Sequence, residues 1–141
     1  MEDIEKAKLA LSNEVSFSLV NGGNVFTSKE PGVKPILQLL DNDKSLLINA
    51  SIADRVIGRA AALLMALGGV KQVYGKVMSR PGYDALKQHG IGIGFGELVD
   101  NIRNKTETGL CPIEQSCIET DDPLEAKKII ITTISKERDM K

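Results

Sequence analysis

The sequence contains no tryptophan, only three phenylalanines and two tyrosines, one histidine and two cysteines among its 141 residues. So few aromatic side chains argue against a surface that stacks nucleic-acid bases. The charges also argue against nucleic acid, because 18 basic and 19 acidic residues nearly balance and form no basic block. We therefore expect no nucleic-acid partner.

Soft metal ligands and long apolar segments are equally scarce. One histidine and two cysteines leave few ligands for a zinc site, so we predict no metal and no cofactor. The longest apolar run, residues 60–70, is too short to cross a membrane. The N-terminal segment is acidic and amphipathic, whereas a signal peptide has a basic start and an apolar centre. These features predict a cytoplasmic protein with no membrane partner.

The chain does contain a regular succession of helix and strand patterns, and its length predicts one domain over residues 1–141 with the last six residues frayed. The predicted elements, in order, are a helix over 2–12, a hairpin around Asn21-Gly22-Gly23, a short helix after Pro35, a central helix from about Asp54 to Leu67, a strand over 70–78, a helix over 80–90, a strand over 91–96, a helix from Pro112 and a final helix after Asp122. For the second half of the last element, its isoleucines and threonines leave a strand as an alternative. This order predicts an α/β protein, a three-layer α/β/α sandwich around a mixed sheet.

Two stretches carry a family resemblance. "SRPGYDALKQHGIGIGFG" places a proline after a strand, at the start of a helix that closes with Gly90-Ile91, and "ADRVIGRAAALL" precedes it. This pattern resembles the cytidine-deaminase-like fold. Together with "TGLCPIE", it resembles an uncharacterised prokaryotic family, domain of unknown function family 1893, over about residues 3 to 135.

The departures from deaminases matter for function. A zinc deaminase holds its metal with one His or Cys and two further Cys, and uses a Glu to carry protons. In the proline register of the resemblance, Gly82 and Ala85 stand at the two cysteine positions. Asp54 falls near the histidine position and Val56 near the glutamate position. The resemblance therefore implies the fold without zinc-dependent deamination.

The start of the predicted central helix gives the first candidate residues. Ser51 and Asp54 fit a capping box, and the resemblance places Asp54 toward the pocket. Arg55 and Arg59 would share one helix face with Gly58 between them, three locally unfavourable choices in one turn. Such conflicts are typical of functional sites, so Gly58 and Arg59 are predicted to form a pocket wall that accepts an anionic group. The alternative is that the arginines pair with carboxylates and Gly58 permits close packing.

The stretch "TGLCPIEQSC" gives the second set of candidates. Pro112 suits the first position of a helix, which makes Cys111 the N-cap and puts Glu114 in the first turn, where it could cap the backbone. A thiol at a helix N-terminus can have a lowered pKa and act as a nucleophile. Cys111 could equally be a small buried residue, or part of a ligand pocket without being a nucleophile.

Three hypotheses follow for function. The first is a domain that binds a small polar, nucleotide-like ligand without zinc. The second is a metal-independent enzyme for group transfer or hydrolysis that uses Cys111 with Asp54 or Glu114. The third is an oligomeric scaffold, such as a homodimer that pairs through the apolar central helix and a sheet edge. The residues predicted to bind the ligand are Asp54, Arg55, Gly58, Arg59, Ser79, Thr108, Gly109 and Cys111.

Overall fold

A computed structural model describes residues 1–102 and 111–139 of the chain. Within this part lies one mixed sheet of five strands, β1 Phe17–Asn21, β2 Asn24–Ser28, β3 Ser51–Ile57, β4 Gln72–Ser79 and β5 Gly92–Val99. The strand order is β2-β1-β3-β4-β5. Strand β1 is antiparallel to both of its neighbours, whereas β3, β4 and β5 run parallel. The parallel half therefore needs helical crossovers, and α3 and α4 supply them.

The helices of the described chain cover the two faces of the sheet unequally. They are α1 Asp3–Ala10, α2 Lys34–Asn42, a 3-10 turn at Lys44–Leu46, α3 Arg59–Gly68, α4 Arg80–Gln88, α5 Pro112–Ser116 and α6 Pro123–Asp139. Helix α1 packs on one face, where Ala7 meets Val20 and Ala53. The larger core lies on the other face beneath α2, α3 and α4, and α5 and α6 pack on α3. The predicted α/β architecture around a mixed sheet is confirmed.

Most of the predicted elements are present. The hairpin turns at Gly22, whose φ of +62° favours glycine, and α3 ends at Gly69 in the left-handed region, with φ +79°. The last element is helical through Asp139, so the strand alternative is wrong. Its apolar residues Ala126 and Ile130 are four apart and both buried, which is helical spacing. No helix in the described ranges has the length and apolar character needed to span a membrane.

The start of the central helix is the main error of the sequence prediction. Residues 51–57 form strand β3, and α3 begins at Arg59, five residues later than predicted. The first four residues of β3 are all buried, so the strand lacks the alternation that identifies a half-buried strand. The capping box assigned to Ser51 and Asp54 is therefore wrong, because both residues lie within the sheet.

The three parallel strands share a break in side-chain alternation. Ile52 and Ile57 both pack in the main core, although side chains five apart on a regular strand point to opposite faces. The same spacing recurs in β4, where Val73 and Met78 lie in that core, and in β5, where Ile93 and Leu98 pack against it. These residues pair across the strands in two rows, 52-73-93 and 57-78-98. The alternation thus shifts by one residue at the same level in all three strands.

Candidate functional site

Helices α3 and α4 begin side by side at the carboxyl ends of β3 and β4, the edge where α/β proteins commonly bind ligands. Gly58 is the N-cap of α3. Ser79 is the N-cap of α4, and its buried hydroxyl accepts a hydrogen bond of 3.0 Å from the backbone N–H of Gly82. A β-carbon on Gly82 would lie 2.9 Å from the carbonyl carbon of Gly58. The two helix starts are therefore in direct backbone contact.

This contact bears on Gly82 and Ala85, the two residues that the resemblance places where zinc deaminases have their cysteines. Gly82 has no ligand atom, and the backbone of Gly58 fills the space that a side chain there would need. Ala85, at the second position, is buried and apolar. The described residues contain no cluster of three His, Cys, Asp or Glu side chains that could hold a metal. The residues at these positions do not fit zinc.

The N-terminus of α3 is occupied by a carboxylate from a distant part of the chain. Glu114 accepts hydrogen bonds from the backbone N–H of Arg59 at 2.6 Å and of Ala60 at 2.9 Å. Burial raises the pKa of the Glu114 carboxyl, and these two N–H groups and the Arg59 charge offset part of that effect. Glu114 was predicted to cap its own helix, and this is wrong, because it caps α3 instead.

Arg59 connects the start of α3 to the segment after α5. Its buried side chain donates to the carbonyl oxygens of Cys117 at 2.9 Å and Thr120 at 2.6 Å, and forms an ion pair with Asp121. Its guanidinium is therefore already bound within the protein. The sequence correctly singled out Gly58 and Arg59 as unusual, but the structure gives the packing alternative: Gly58 permits the close approach of Glu114, and Arg59 pairs with a carboxylate.

Asp54 lies in β3, away from the helix start, on the face that carries the main core. Its neighbours across the strands are Phe17 and Gly75. Among the described residues its buried Oδ2 has no hydrogen-bond partner. Burial raises the pKa of Asp54 to about 8, although the backbone N–H groups of Val56 and Arg55 lower it in part. Asp54 is therefore a buried acid that is mostly neutral at pH 7.

The other predicted residues are dispersed. Arg55 lies in β3 and donates to the carbonyl oxygen of Ser12, so it does not share a helix face with Arg59. Cys111 is the half-buried N-cap of α5, as predicted, but its side chain makes no capping hydrogen bond. Burial raises the pKa of the Cys117 thiol. Thr108 and Gly109 lie outside the described residues.

A cleft between α4 and β5 is the feature that the sequence analysis missed. It has a volume of about 320 Å³ and is lined by Arg80, Tyr83, Asp84, Phe95 and Leu98. The first three lie three and four residues apart, which places them on one face of α4 and was a signal available in the sequence. Phe95 and Leu98 are three apart on a strand, so only the break in alternation brings both to the cleft.

The cleft combines two aromatic rings with charged groups. The rings of Tyr83 and Phe95 meet edge to face, with centroids 6.1 Å apart and an interplanar angle of 79°. Arg80 is the first residue of α4, and its Nε lies 3.1 Å from Oδ1 of Asp100. Both side chains of this ion pair are largely exposed. The cleft is thus apolar along one wall and charged where α4 begins.

Comparison with known proteins finds a family whose model matches most of the chain. A family model described as TM1506, a domain of unknown function (DUF1893), matches residues 6–134. The chain is similar to the crystal structure of a DUF1893 family protein from Thermotoga maritima, with 24% identity, a TM-score of 0.79, and coverage of 96% of this chain and 91% of that one. It is also similar to a diaminohydroxyphosphoribosylaminopyrimidine deaminase/5-amino-6-(5-phosphoribosylamino)uracil reductase from Thermotoga maritima, with 18% identity, a TM-score of 0.46, and coverage of 96% and 40%. No curated protein matches.

Proposed function

The chain belongs to the DUF1893 family, and we propose that it is a binding domain that takes a small polar ligand in the cleft between α4 and β5. The observation that carries this proposal is the composition of the cleft. Two aromatic side chains, one arginine and one aspartate converge on a space of about 320 Å³. Small-molecule sites in proteins combine apolar and aromatic walls with a few placed polar groups in volumes of about this size.

Binding is better supported than catalysis because the polar groups at the helix starts are already engaged. Glu114 is bound to the N-terminus of α3, Arg59 to the segment after α5, and Ser79 to Gly82. Neither cysteine lines the cleft. Cys111 is therefore not part of this proposal. The proposed ligand site lies between α4 and β5, whereas the sequence analysis had placed it at the start of the central helix.

A thermal-shift screen of polar metabolites tests the proposal. A ligand present at 100 times its Kd stabilises a protein by about 2.7 kcal/mol, which raises the Tm of a domain of this size by several degrees. We expect at least one compound to raise the Tm of the native chain, and Phe95→Ala and Arg80→Gln to abolish the shift. Lys71→Gln, which changes an exposed residue outside the cleft, should leave it intact.

Two results would overturn the proposal. One is a screen in which no compound stabilises the native chain. The other is a ligand whose effect survives both Phe95→Ala and Arg80→Gln, because that ligand would bind elsewhere. Either outcome rejects the cleft as the ligand site.

A further inference from the structure

The chemistry of the cleft narrows the class of ligand. Resting on the proposed function, we infer that the ligand is a planar aromatic compound with a single anionic group, whose ring packs on Phe95 and whose anion replaces Asp100 at Arg80. The inference combines three features of the cleft: an accessible aromatic side chain, an arginine held by an exposed partner, and an aspartate among the lining residues.

Phe95 supplies the aromatic surface. It is 41% exposed, although it lies on the face of the sheet that α2, α3 and α4 cover. Gly75 and Asp54, which pair in register with it across the strands, are buried. The ring of Tyr83 contacts the ring of Phe95 edge to face, so Tyr83 covers one part of the Phe95 side chain. Planar rings stack favourably on accessible aromatic side chains, as bases do in nucleic-acid complexes, because every such ring has a π face. A flat ring would cover the exposed part of Phe95.

Arg80 supplies the anion site. The guanidinium binds carboxylate and phosphate groups with paired hydrogen bonds, and it stands at the N-terminus of α4, where the helix dipole favours negative charge. Its partner Asp100 is 87% exposed and Arg80 itself 65% exposed. Exposed ion pairs contribute little to stability because solvent screens both charges, so a ligand anion can displace Asp100 at little cost.

Asp84 limits how much charge the ligand carries. It lies four residues after Arg80 on the same helix face and is one of the residues that line the cleft. A carboxylate accepts hydrogen bonds from hydroxyl and amino groups and repels a second anion. The ligand should therefore combine a planar ring, hydrogen-bond donors and one anionic group.

A titration by calorimetry with four probes tests this class on the full chain. The probes are adenosine 5′-monophosphate, adenosine, inorganic phosphate and indole-3-acetate. We expect adenosine 5′-monophosphate to bind at least about tenfold more tightly than adenosine or phosphate alone, since ring and anion act together. Arg80→Gln should remove that advantage and leave adenosine binding unchanged within about twofold, whereas Phe95→Leu should weaken both nucleoside probes.

The outcomes separate the ligand class from the binding function. Tight binding of indole-3-acetate with the same Arg80 dependence supports the inference and identifies the anion as a carboxylate. Equal affinity for adenosine and its monophosphate overturns the inference. An uncharged sugar or an amine from the wider screen that needs Phe95 also overturns it, while leaving the cleft as a binding site. If no compound of either set needs Phe95 or Arg80, both proposals fall.

Discussion

A β-carbon on Gly58 would lie 2.3 Å from the carboxylate of Glu114, 56 positions further along the chain. This distance is far below van der Waals contact, so only glycine permits Glu114 to reach the two N–H groups at the start of α3. The φ of Gly58 is −107°, which any residue can adopt. The requirement for glycine is therefore steric, and the three atoms nearest to that β-carbon all belong to Glu114.

Gly58→Ala should consequently destabilise the protein by displacing Glu114. The loss of stability should therefore disappear when Glu114 is absent. We expect Glu114→Ala to lower the free energy of unfolding by about 2 kcal/mol, through loss of charged capping hydrogen bonds, and Gly58→Ala to lower it by about 1–2 kcal/mol. In the Glu114→Ala background, Gly58→Ala should cost close to nothing. Urea denaturation of the four proteins measures this cycle.

The matched control for the cycle is Gly23→Ala, because a β-carbon at Gly23 meets no atom within 4 Å. It should change stability by less than about 0.5 kcal/mol. Additive effects of the Gly58 and Glu114 changes would contradict the steric explanation.

Replacing Arg59 should lower the free energy of unfolding more than replacing Arg55. Arg59→Met keeps an apolar stem of similar length but leaves the carbonyl groups of Cys117 and Thr120 without their donor. We expect a loss of about 3 kcal/mol, against less than about 1 kcal/mol for Arg55→Met, whose bond to Ser12 is exposed. Urea denaturation gives the energies, and native-state labelling with iodoacetamide gives a local measure.

Cys117 is the reporter for that labelling, because it is fully buried next to the Arg59 bonds. It should react slowly in the native protein and in Arg55→Met, and faster in Arg59→Met. Equal rates in all three proteins would show that Arg59 does not hold the segment after α5.

Asp54 should make stability fall as the pH rises. Its pKa is about 8 in the folded protein and 3.8 as an ordinary aspartate, so between these values the folded state binds more protons than the unfolded state. Stability then decreases with pH across this window, at up to about 1.4 kcal/mol per pH unit, and levels off above pH 8. Asp54→Asn should remove this dependence and be more stable than the native chain at pH 8.

The measurement is the difference between the two free-energy curves from pH 4 to pH 9. This difference cancels groups common to both proteins, including Glu114, whose raised pKa acts in the same direction. Glu14→Gln, which changes an exposed carboxylate, is the control and should run parallel to the native curve. Parallel curves for Asp54→Asn would contradict a neutral buried Asp54.

The sequence predicted those elements whose signals are local. Pro112 marked the start of α5, and the Asn21-Gly22-Gly23 turn marked the hairpin. The predictions failed where burial removed the pattern, as in β3, whose buried residues read as the first turn of a helix. Hydrophobic periodicity reports a boundary only where one face of an element meets water.

The candidate site was less predictable because its contacts are long-range. The sequence singled out Gly58, Arg59 and Glu114 correctly. It could not show that Glu114 binds the start of α3, because the residues in contact are more than fifty positions apart. The cleft depends on Phe95 and Leu98 facing the same way, which contradicts a regular strand. No pattern within one strand reveals a shift that three strands share.

That shared shift restricts how the chain can vary. Deleting one residue from β4 alone, between Val73 and Met78, would restore ordinary alternation there but leave its partners in β3 and β5 out of step. The two apolar rows could then no longer both align. We therefore expect a length change within this half of the sheet to preserve the core only when it occurs in all three strands at once, whereas the connections between the strands can change length one at a time.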